Sequence, residues 1–364
     1  MVYNDRIKTL ERMMFEQISF FESAEKLHTS LTKGRYLLLV ADQTDIAPLA
    51  TLPDDIAFVG AVFPRVIYRH HTYDTGIIVA KMSDSTLSCI VPMDNTTQLK
   101  LPEETNAVLT FIDGYSIHTD RFLEVLYAQL PEQARILGAG AGKMTLDPAS
   151  YLLFDNTQRY TNYAIVVASK QSVGLGIKHG WTTVMGPFIA THCSGHTLEK
   201  INFQDAYSVY RSIVEKISDI AFDQTPFFTI AQRFPLGIVR YNKDFIIREP
   251  FSTNGQSLTL NAQIDANSVI SILEGKADDI IEAAREAAVA SLHVKTQAHG
   301  NVLLIDCISR YLLLKERYGE ELEAITSVYD NAIPLWGVLS LGEIANANQE
   351  GIEFYNNTCV IGTL

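Results

Sequence analysis

Arg310 and Glu343 are the charged residues that ask most of their surroundings. Each follows an apolar run, Val302-Leu303-Leu304-Ile305 before Arg310 and Leu335-Trp336-Gly337-Val338-Leu339 before Glu343. A charge carried into an apolar interior needs an opposite charge or a ligand to hold it. Two readings follow: an internal salt bridge tying two strands, or contact with a bound small molecule. Ser340 stands close before Glu343, and Asn357 either presents its amide to the same pocket or completes a hairpin turn. Cys307 adds a thiol nearby, so an enzyme working through Glu343, Arg310 and Cys307 is the alternative. No paired catalytic groups with a recognisable spacing accompany them.

The histidines suggest a second chemistry. His70 and His71 lie among Arg65, Tyr68, Arg69 and Tyr73; His118 lies near Tyr115, and His179 near Trp181. A haem needs an axial histidine, an apolar wall and arginine for its propionates, so His70, His71, His118 and His179 are the candidate axial residues. Neighbouring strand residues point to opposite faces, so only one of His70 and His71 can serve a pocket. Covalent c-type attachment is excluded because C-x-x-C-H is absent.

Other motifs fail on spacing. Gly138, Gly140 and Gly142 precede Lys143, but Met144 stands where a phosphate-binding loop has Ser or Thr. Those glycines read as a strand needing close backbone approach. Gly337 to Gly342 holds Ser340 off-centre for a nucleophile elbow. His192-Cys193 and His196 make half a zinc site with no second cluster, and read as a turn.

The elements that must position these groups follow from the 364 residues themselves. A hydrophobic content of 47% with only 20% charged residues implies buried cores and, at this length, two domains. The net charge of −13 argues against nucleic-acid or anionic-membrane partners. Four scattered cysteines predict neither a disulfide framework nor structural zinc. The early charges Asp5, Arg6, Lys8, Glu11 and Arg12 do not suit a signal peptide, and a cytoplasmic location is expected.

Ile7, Leu10, Met14, Ile18 and Phe21 recur at helical spacing, which predicts a helical segment over 1–33 with a second stretch over 24–31. Short apolar strands are expected at 36–41, 57–62, 76–82, 107–112, 135–140, 151–154 and 164–168. Helices are expected at 120–130, 204–217 and 278–292. One pattern occurs three times: an apolar strand ending in Asp (Asp42, Asp113, Asp306), a helix, a strand through a glycine (Gly60, Gly138, Gly337), then a hairpin and a last strand. The expected fold is α/β, two domains built from duplicated strand-helix-strand-hairpin sheet units. The domains are placed at 34–220 and 221–364, with the ligand site at or near their interface.

Several stretches resemble the FIST family. They include Phe234-Pro235-Leu236-Gly237, Arg248-Glu249-Pro250, the helix from Ile281 to Ala288, and Ile305-Asp306-Cys307-Ile308-Ser309-Arg310. The ending Gly342-Glu343-Ile344 matches the family's form, and Asn356-Asn357-Thr358 varies its Asn-Gln-Thr step. Gly174-Leu175-Gly176 and Phe58-Val59-Gly60-Ala61 are similar too. The family's Gly-Cys-Ser-like run is replaced here by Ala61-Val62-Phe63-Pro64-Arg65, so no ligand role is carried to that loop.

The resemblance implies a sensory, ligand-binding protein with no catalytic activity. Its implied partners are a histidine kinase or a cyclic-di-GMP enzyme, and its implied ligand is haem with nitric oxide or a small metabolite such as an amino acid. Arg310, Ser340, Glu343 and Asn357 are the expected ligand-binding residues.

Overall fold

The computed structural model describes residues 13–95, 99–145, 150–240, 245–292, 300–330, 333–346 and 351–364. Three of its four sheets repeat one plan. The first unit contains β1 (Phe15–Phe21), β2 (Gly34–Ala41), β3 (Ile56–Phe63), the hairpin β4 (Arg65–Tyr68) and β5 (His71–Tyr73), and β6 (Ile77–Met82). The second contains β7 (Leu87–Pro92), β8 (Ala107–Asp113), β9 (Arg135–Ala141), the hairpin β10 (Leu153–Asp155) and β11 (Arg159–Tyr160), and β12 (Tyr163–Ser169).

β13 (Gly174–Lys178) leads into an inserted sheet. Its strands are β14 (Trp181–Ser194), β15 (Thr197–Ile201), β16 (Gln204–Asp205), β17 (Leu236–Val239), β18 (Phe245–Arg248), β19 (Pro250–Thr253), β20 (Leu258–Leu260) and β21 (Val269–Gly275). The third unit follows with β22 (Val302–Cys307), β23 (Leu335–Ser340), the hairpin β24 (Glu343–Ala345) and β25 (Glu353–Tyr355), and β26 (Cys359–Thr363).

In each unit the first two long strands run parallel and the last strand pairs antiparallel beside the first: β6-β2-β3, β12-β8-β9 and β26-β22-β23. The hairpin between them leaves its own unit. β4-β5 joins the third unit's sheet at β23, β24-β25 joins the second unit's at β9, and β10-β11 joins the first unit's at β3. The exchange closes a ring of three sheets. It satisfies the exposed edge of β3, β9 and β23, each of which would otherwise present a row of unpaired backbone groups. Their inner faces share one apolar core containing Leu37, Leu109, Leu137, Leu303, Ile305 and Val338.

Glycine sets the register of the ring. Gly60, Gly138 and Gly337 lie opposite Leu38, Thr110 and Leu304. A Cβ on Gly138 would stand 1.9 Å from the Thr110 carbonyl oxygen, and one on Gly337 1.8 Å from that of Leu304. The glycine-rich run before Lys143 is therefore the strand β9, as its failed phosphate-loop spacing suggests.

The units differ in what joins the parallel strands. The second uses the helix Thr119–Gln129, and the third uses Ile308–Leu314 and Tyr318–Thr326. The first has only a 3-10 turn, Ala47–Thr51. The inserted sheet packs the helices Ala206–Ser218 and Phe227–Ala231 over its own core around Tyr210, Phe234 and Leu258. The helix Ala277–Ser291 then returns the chain to the ring.

The helix expected over 1–33 is a correction. Phe15–Phe21 is a strand, paired antiparallel with β6, and among the described residues of this segment only Ala24–Lys26 and Leu27–Ser30 are helical. The open edge of β6 offers a full ladder of partners, and Phe20 packs 4.2 Å from the Tyr73 ring. Tertiary pairing thus outweighs a short apolar period. Ile7 and Leu10 lie outside the described residues.

The repeat also needs one correction in register. With the glycines superposed, Asp42, Asp113 and Asp306 fall at successive positions. Asp306 takes the place of Val40 and Ile112, and Cys307 that of Ala41 and Asp113.

Candidate functional site

Superposing the three units by their strand register isolates what the third one does differently. Val40, Ala41, Phe63 and Val66 line one end of the first unit's strands and its hairpin. Ile112, Asp113, Ala141 and Leu153 do so in the second. The third has Asp306, Cys307, Ser340 and Glu343 there. All twelve are buried. The fold is stable with apolar groups at nearly all these places, so the four polar ones are not a requirement of the architecture. They sit at the carboxyl ends of two parallel strands, where open α/β sheets bind ligands.

Glu343 is fully buried and well partnered. Its Oε2 accepts from the Thr358 backbone N–H at 3.1 Å, and Ser340 Oγ lies 2.6 Å from its Oε1. Ser340 Oγ also lies 3.1 Å from the Asp306 carbonyl oxygen. One hydroxyl has one proton, so both contacts hold together when Glu343 is protonated and donates to Ser340. Burial drives its carboxyl well above the usual carboxylate range, in agreement. Replacing Ser340 by Ala and Glu343 by Leu, which copies Ala141 and Leu153, is expected to leave urea-unfolding stability within ~2 kcal/mol of wild type at neutral pH. A larger loss would show that Glu343 is needed for folding.

Cys307 shows the same substitution from another side. In the second unit the Asp113 carboxylate accepts from the backbone N–H groups of Tyr115, at 3.1 Å, and Asn162, at 2.7 Å. In the third unit the equivalent amides, of Ser309 and Asn357, turn to the Cys307 thiol. Burial first, then Glu343 and Glu249, push that thiol well above its ordinary value, so it stays neutral and weakly nucleophilic.

The remaining polar groups come from the inserted sheet. Arg248 and Glu249 join β18 to β19 and are both buried. Arg248 donates to the carbonyls of Gln263 at 2.9 Å and Phe354 at 3.2 Å, and to Asn356 Oδ1 at 3.2 Å. Burial lowers it to about 10. Glu249 is 3% exposed and accepts from Ser309 Oγ at 2.7 Å through Oε2. Its Oε1 has no hydrogen-bond partner, and neither do Asn356 Nδ2, Asn357 Nδ2 and Asn357 Oδ1. Burial raises the Glu249 carboxyl to about 7, opposed by the Ser309 hydrogen bond and by the Asn357 side chain, which lies near the carboxyl without reaching full hydrogen-bond geometry. Asn357 takes a left-handed φ of 55°, which asparagine tolerates better than most residues, and this turns the Asn356-Asn357-Thr358 corner into the seam. Buried polar atoms without partners are rare, and four around one corner make this seam the candidate site.

Arg310 belongs to a neighbouring cluster. It is fully buried, lies 3.0 Å from Asp306 and contacts Glu321, and it donates to the carbonyls of His179 at 2.6 Å and Ile280 at 3.0 Å. Its guanidinium also stands 5.8 Å from the Trp181 ring centroid. Burial raises Glu321 to about 8 against the attraction of Arg310. Asp306, Glu321 and Cys359 form a group of metal-ligating type, but the guanidinium already supplies its cation. The structure therefore brings Ser340, Glu343 and Asn357 together with Cys307, and ties Arg310 to Asp306 and Glu321.

The four histidines do not converge. His70 and His71 are exposed at the turn of the β4-β5 hairpin, His118 precedes the helix Thr119–Gln129, and His179 Nδ1 accepts from the Trp181 N–H at 3.0 Å. His70 lines a cleft of about 350 Å³ with Arg69, Val302, Thr326 and Leu335. His192 and Cys193 lie in β14, and His196 follows in the turn to β15.

Sequence reasoning missed Glu249, Ser309, Asn356, Asp306 and Glu321 as site residues. The signal for Glu249 was present: Arg248-Glu249 is a charged pair inside Phe245-Ile246-Ile247 and Pro250-Phe251. Its pairing with the chain's end is a long-range contact that spacing does not reveal.

Two family models match the chain, the FIST N domain over residues 38–204 and the FIST C domain over 206–346. Their division falls within the inserted sheet, between β15 and the helix Ala206–Ser218. FIST domains are sensory, ligand-binding modules of signal transduction. No curated protein matches the chain. No helix among the described residues is long and apolar enough to cross a membrane. With both models matched in tandem over most of its length, the chain belongs to the FIST family.

Proposed function

We propose that this protein is a cytoplasmic sensor that reads a small metabolite, such as an amino acid, at the seam between the inserted sheet and the third unit. Glu249 carries the reading: a buried carboxyl with one unpartnered oxygen, beside asparagine amides that also lack partners. Such a corner offers an ionisable acceptor together with donors, which suits a ligand bearing both kinds of group. Glu343 and Ser340 act behind it by holding the Thr358 backbone and hence the Asn356-Asn357 corner. Arg310 secures the start of the helix Ile308–Leu314 that presents Ser309. Occupancy would pass to a histidine kinase or cyclic-di-GMP enzyme partner. The neutral Cys307 thiol favours sensing over catalysis, and the four free cysteines suit a reducing compartment.

Thermal-shift screening of amino acids against wild type, Glu249→Gln and Glu343→Gln tests the site. A hit on wild type that Glu249→Gln abolishes, with the fold retained, is expected. A hit unaffected by both substitutions would move the ligand elsewhere.

A second reading, haem with nitric oxide, has one observation in its favour: His70 and Arg69 line one cleft together with the apolar Val302, Ile333 and Leu335. Bound haem would supply an iron centre for nitric oxide, and His70 and Arg69 are the residues that would hold it. The same screen with hemin decides it. A stoichiometric Soret band lost in His70→Ala would support haem, and unspecific broadening would sink it.

A further inference from the structure

We infer, building on the ligand site proposed above, that the Glu249 seam takes its ligand as a primary ammonium ion, which enters in exchange for a proton.

The first ground is charge. The groups facing Glu249 are Tyr210 from the helix Ala206–Ser218, Cys307 and Ser309 from the end of β22 and the helix after it, and Asn357 from the turn before β26. None is a cation. Arg248, next in sequence, directs its guanidinium to carbonyls and to Asn356. Tyr210 donates its hydroxyl to the Phe234 carbonyl at 2.8 Å, and burial keeps it neutral. Cys307 is neutral for the same reason. An ionised Glu249 would thus be a buried carboxylate without a countercharge, which proteins avoid by holding a proton or a cation. The carboxyl titrating at about 7 is what a proton-holding site looks like.

The second ground is the mixture of unpartnered groups. A bare metal ion wants acceptors only. Here Asn356 Oδ1 is committed to Arg248, so the unpartnered atom of Asn356 is its Nδ2 donor. An occupant that meets Glu249 with a positive donor and Asn356 with an acceptor is an amine carrying a hydroxyl, carbonyl or carboxyl close by. On binding, the O–H bond of Glu249 breaks, its proton leaves to solvent, and the carboxylate accepts N–H from the ammonium. Charge inside the seam is unchanged by the exchange.

Linkage gives the pH dependence. Below the Glu249 titration, affinity for an ammonium ligand falls up to ~10-fold for each pH unit, because the proton must first be displaced. Above it, affinity is flat until the amine itself loses its proton.

Calorimetric titration of the full chain with ethanolamine, in buffers of different ionisation enthalpy at about pH 6 and about pH 8, reads the exchange directly. Saturable binding that releases close to one proton at the lower pH and fewer at the higher is expected, with Glu249→Gln losing it. Proton release is measured on wild type, so the result stands even if the variant folds poorly. Ethanolamine binding without proton release, or binding retained in a folded Glu249→Gln, overturns the exchange and leaves a small-molecule site. Equal binding of potassium chloride overturns the amine in favour of a metal cation. If acetate or urea binds in a Glu249-dependent way and ethanolamine does not, the cation assignment fails while the site survives. If no probe of any charge binds, both the inference and the site are wrong.

Discussion

Glu249→Gln is expected to make the ligand-free protein more stable at about pH 8, by ~1–3 kcal/mol in urea unfolding, and to leave it unchanged at about pH 4. The folded-state value of about 7 lies above the usual 4.5. Below the unfolded value both states hold the proton and the group is neutral to stability. As pH rises towards 7, the unfolded chain ionises first, so the folded state loses ground, and above 7 the loss is complete. Glutamine keeps the shape and the hydrogen bond from Ser309 but has no charge to bury. A wild-type stability curve flat across this range, or a variant less stable at high pH, would mean that Glu249 is paired in solution. The prediction opposes the usual expectation for a structural carboxylate, whose removal weakens a protein. That contrast follows from function: a binding site holds an unsatisfied group at a stability cost that its ligand offsets.

Arg310→Met is expected to lower stability by ~3–5 kcal/mol, because it strands Asp306 and Glu321 in the interior without their cation. It also removes the guanidinium's hydrogen bonds to the carbonyls of His179 and Ile280. Glu321→Gln is expected to be neutral or stabilising at about pH 8, since its folded-state value of about 8 already marks a carboxyl that resists ionisation. For Glu321 the stability deficit develops between 4.5 and about 8, and glutamine removes it. Urea unfolding of both variants, alone and combined, measures this. If Arg310→Met kept wild-type stability and lost only ligand binding, Arg310 would be a ligand contact and the salt-bridge reading would fail.

Much of the ring can be read along the chain. Tyr36 to Ala41, Ala107 to Ile112 and Val302 to Ile305 are unbroken apolar runs bounded by turn residues, which is the mark of strands buried on both faces. The glycines at 138 and 337 recur because the backbone of the neighbouring strand leaves no room for a Cβ, and at Gly60 the Phe154 ring fills that space. Phe15–Phe21 is ambiguous along the chain because seven residues with apolar groups near helical spacing fit either period, and the open edge of β6 decides for the strand. The three aspartates fall out of register for a related reason: matching residue identity ignores which strand residue lies opposite which.

The polar site was half legible. Glu343, Ser340 and Asn357 stand out as polar residues in apolar company near one another in the chain, and the fold does bring them together. Glu249 could not be joined to them by spacing, because residues 249 and 357 meet only when the inserted sheet packs on the third unit. Nor could the sequence choose between the two readings of Arg310, since the cation's partner, Glu321, lies on a different helix.

By itself, then, the sequence determined the strand and glycine pattern, the threefold repetition and the family, since these depend on local periodicity and volume. Tertiary structure alone decided the exchange of hairpins between sheets, the partners of Arg310, and the unpartnered oxygen of Glu249. Those rest on which buried groups find a countercharge or a hydrogen bond across long chain separations, and burial is what makes each such match or mismatch energetically large.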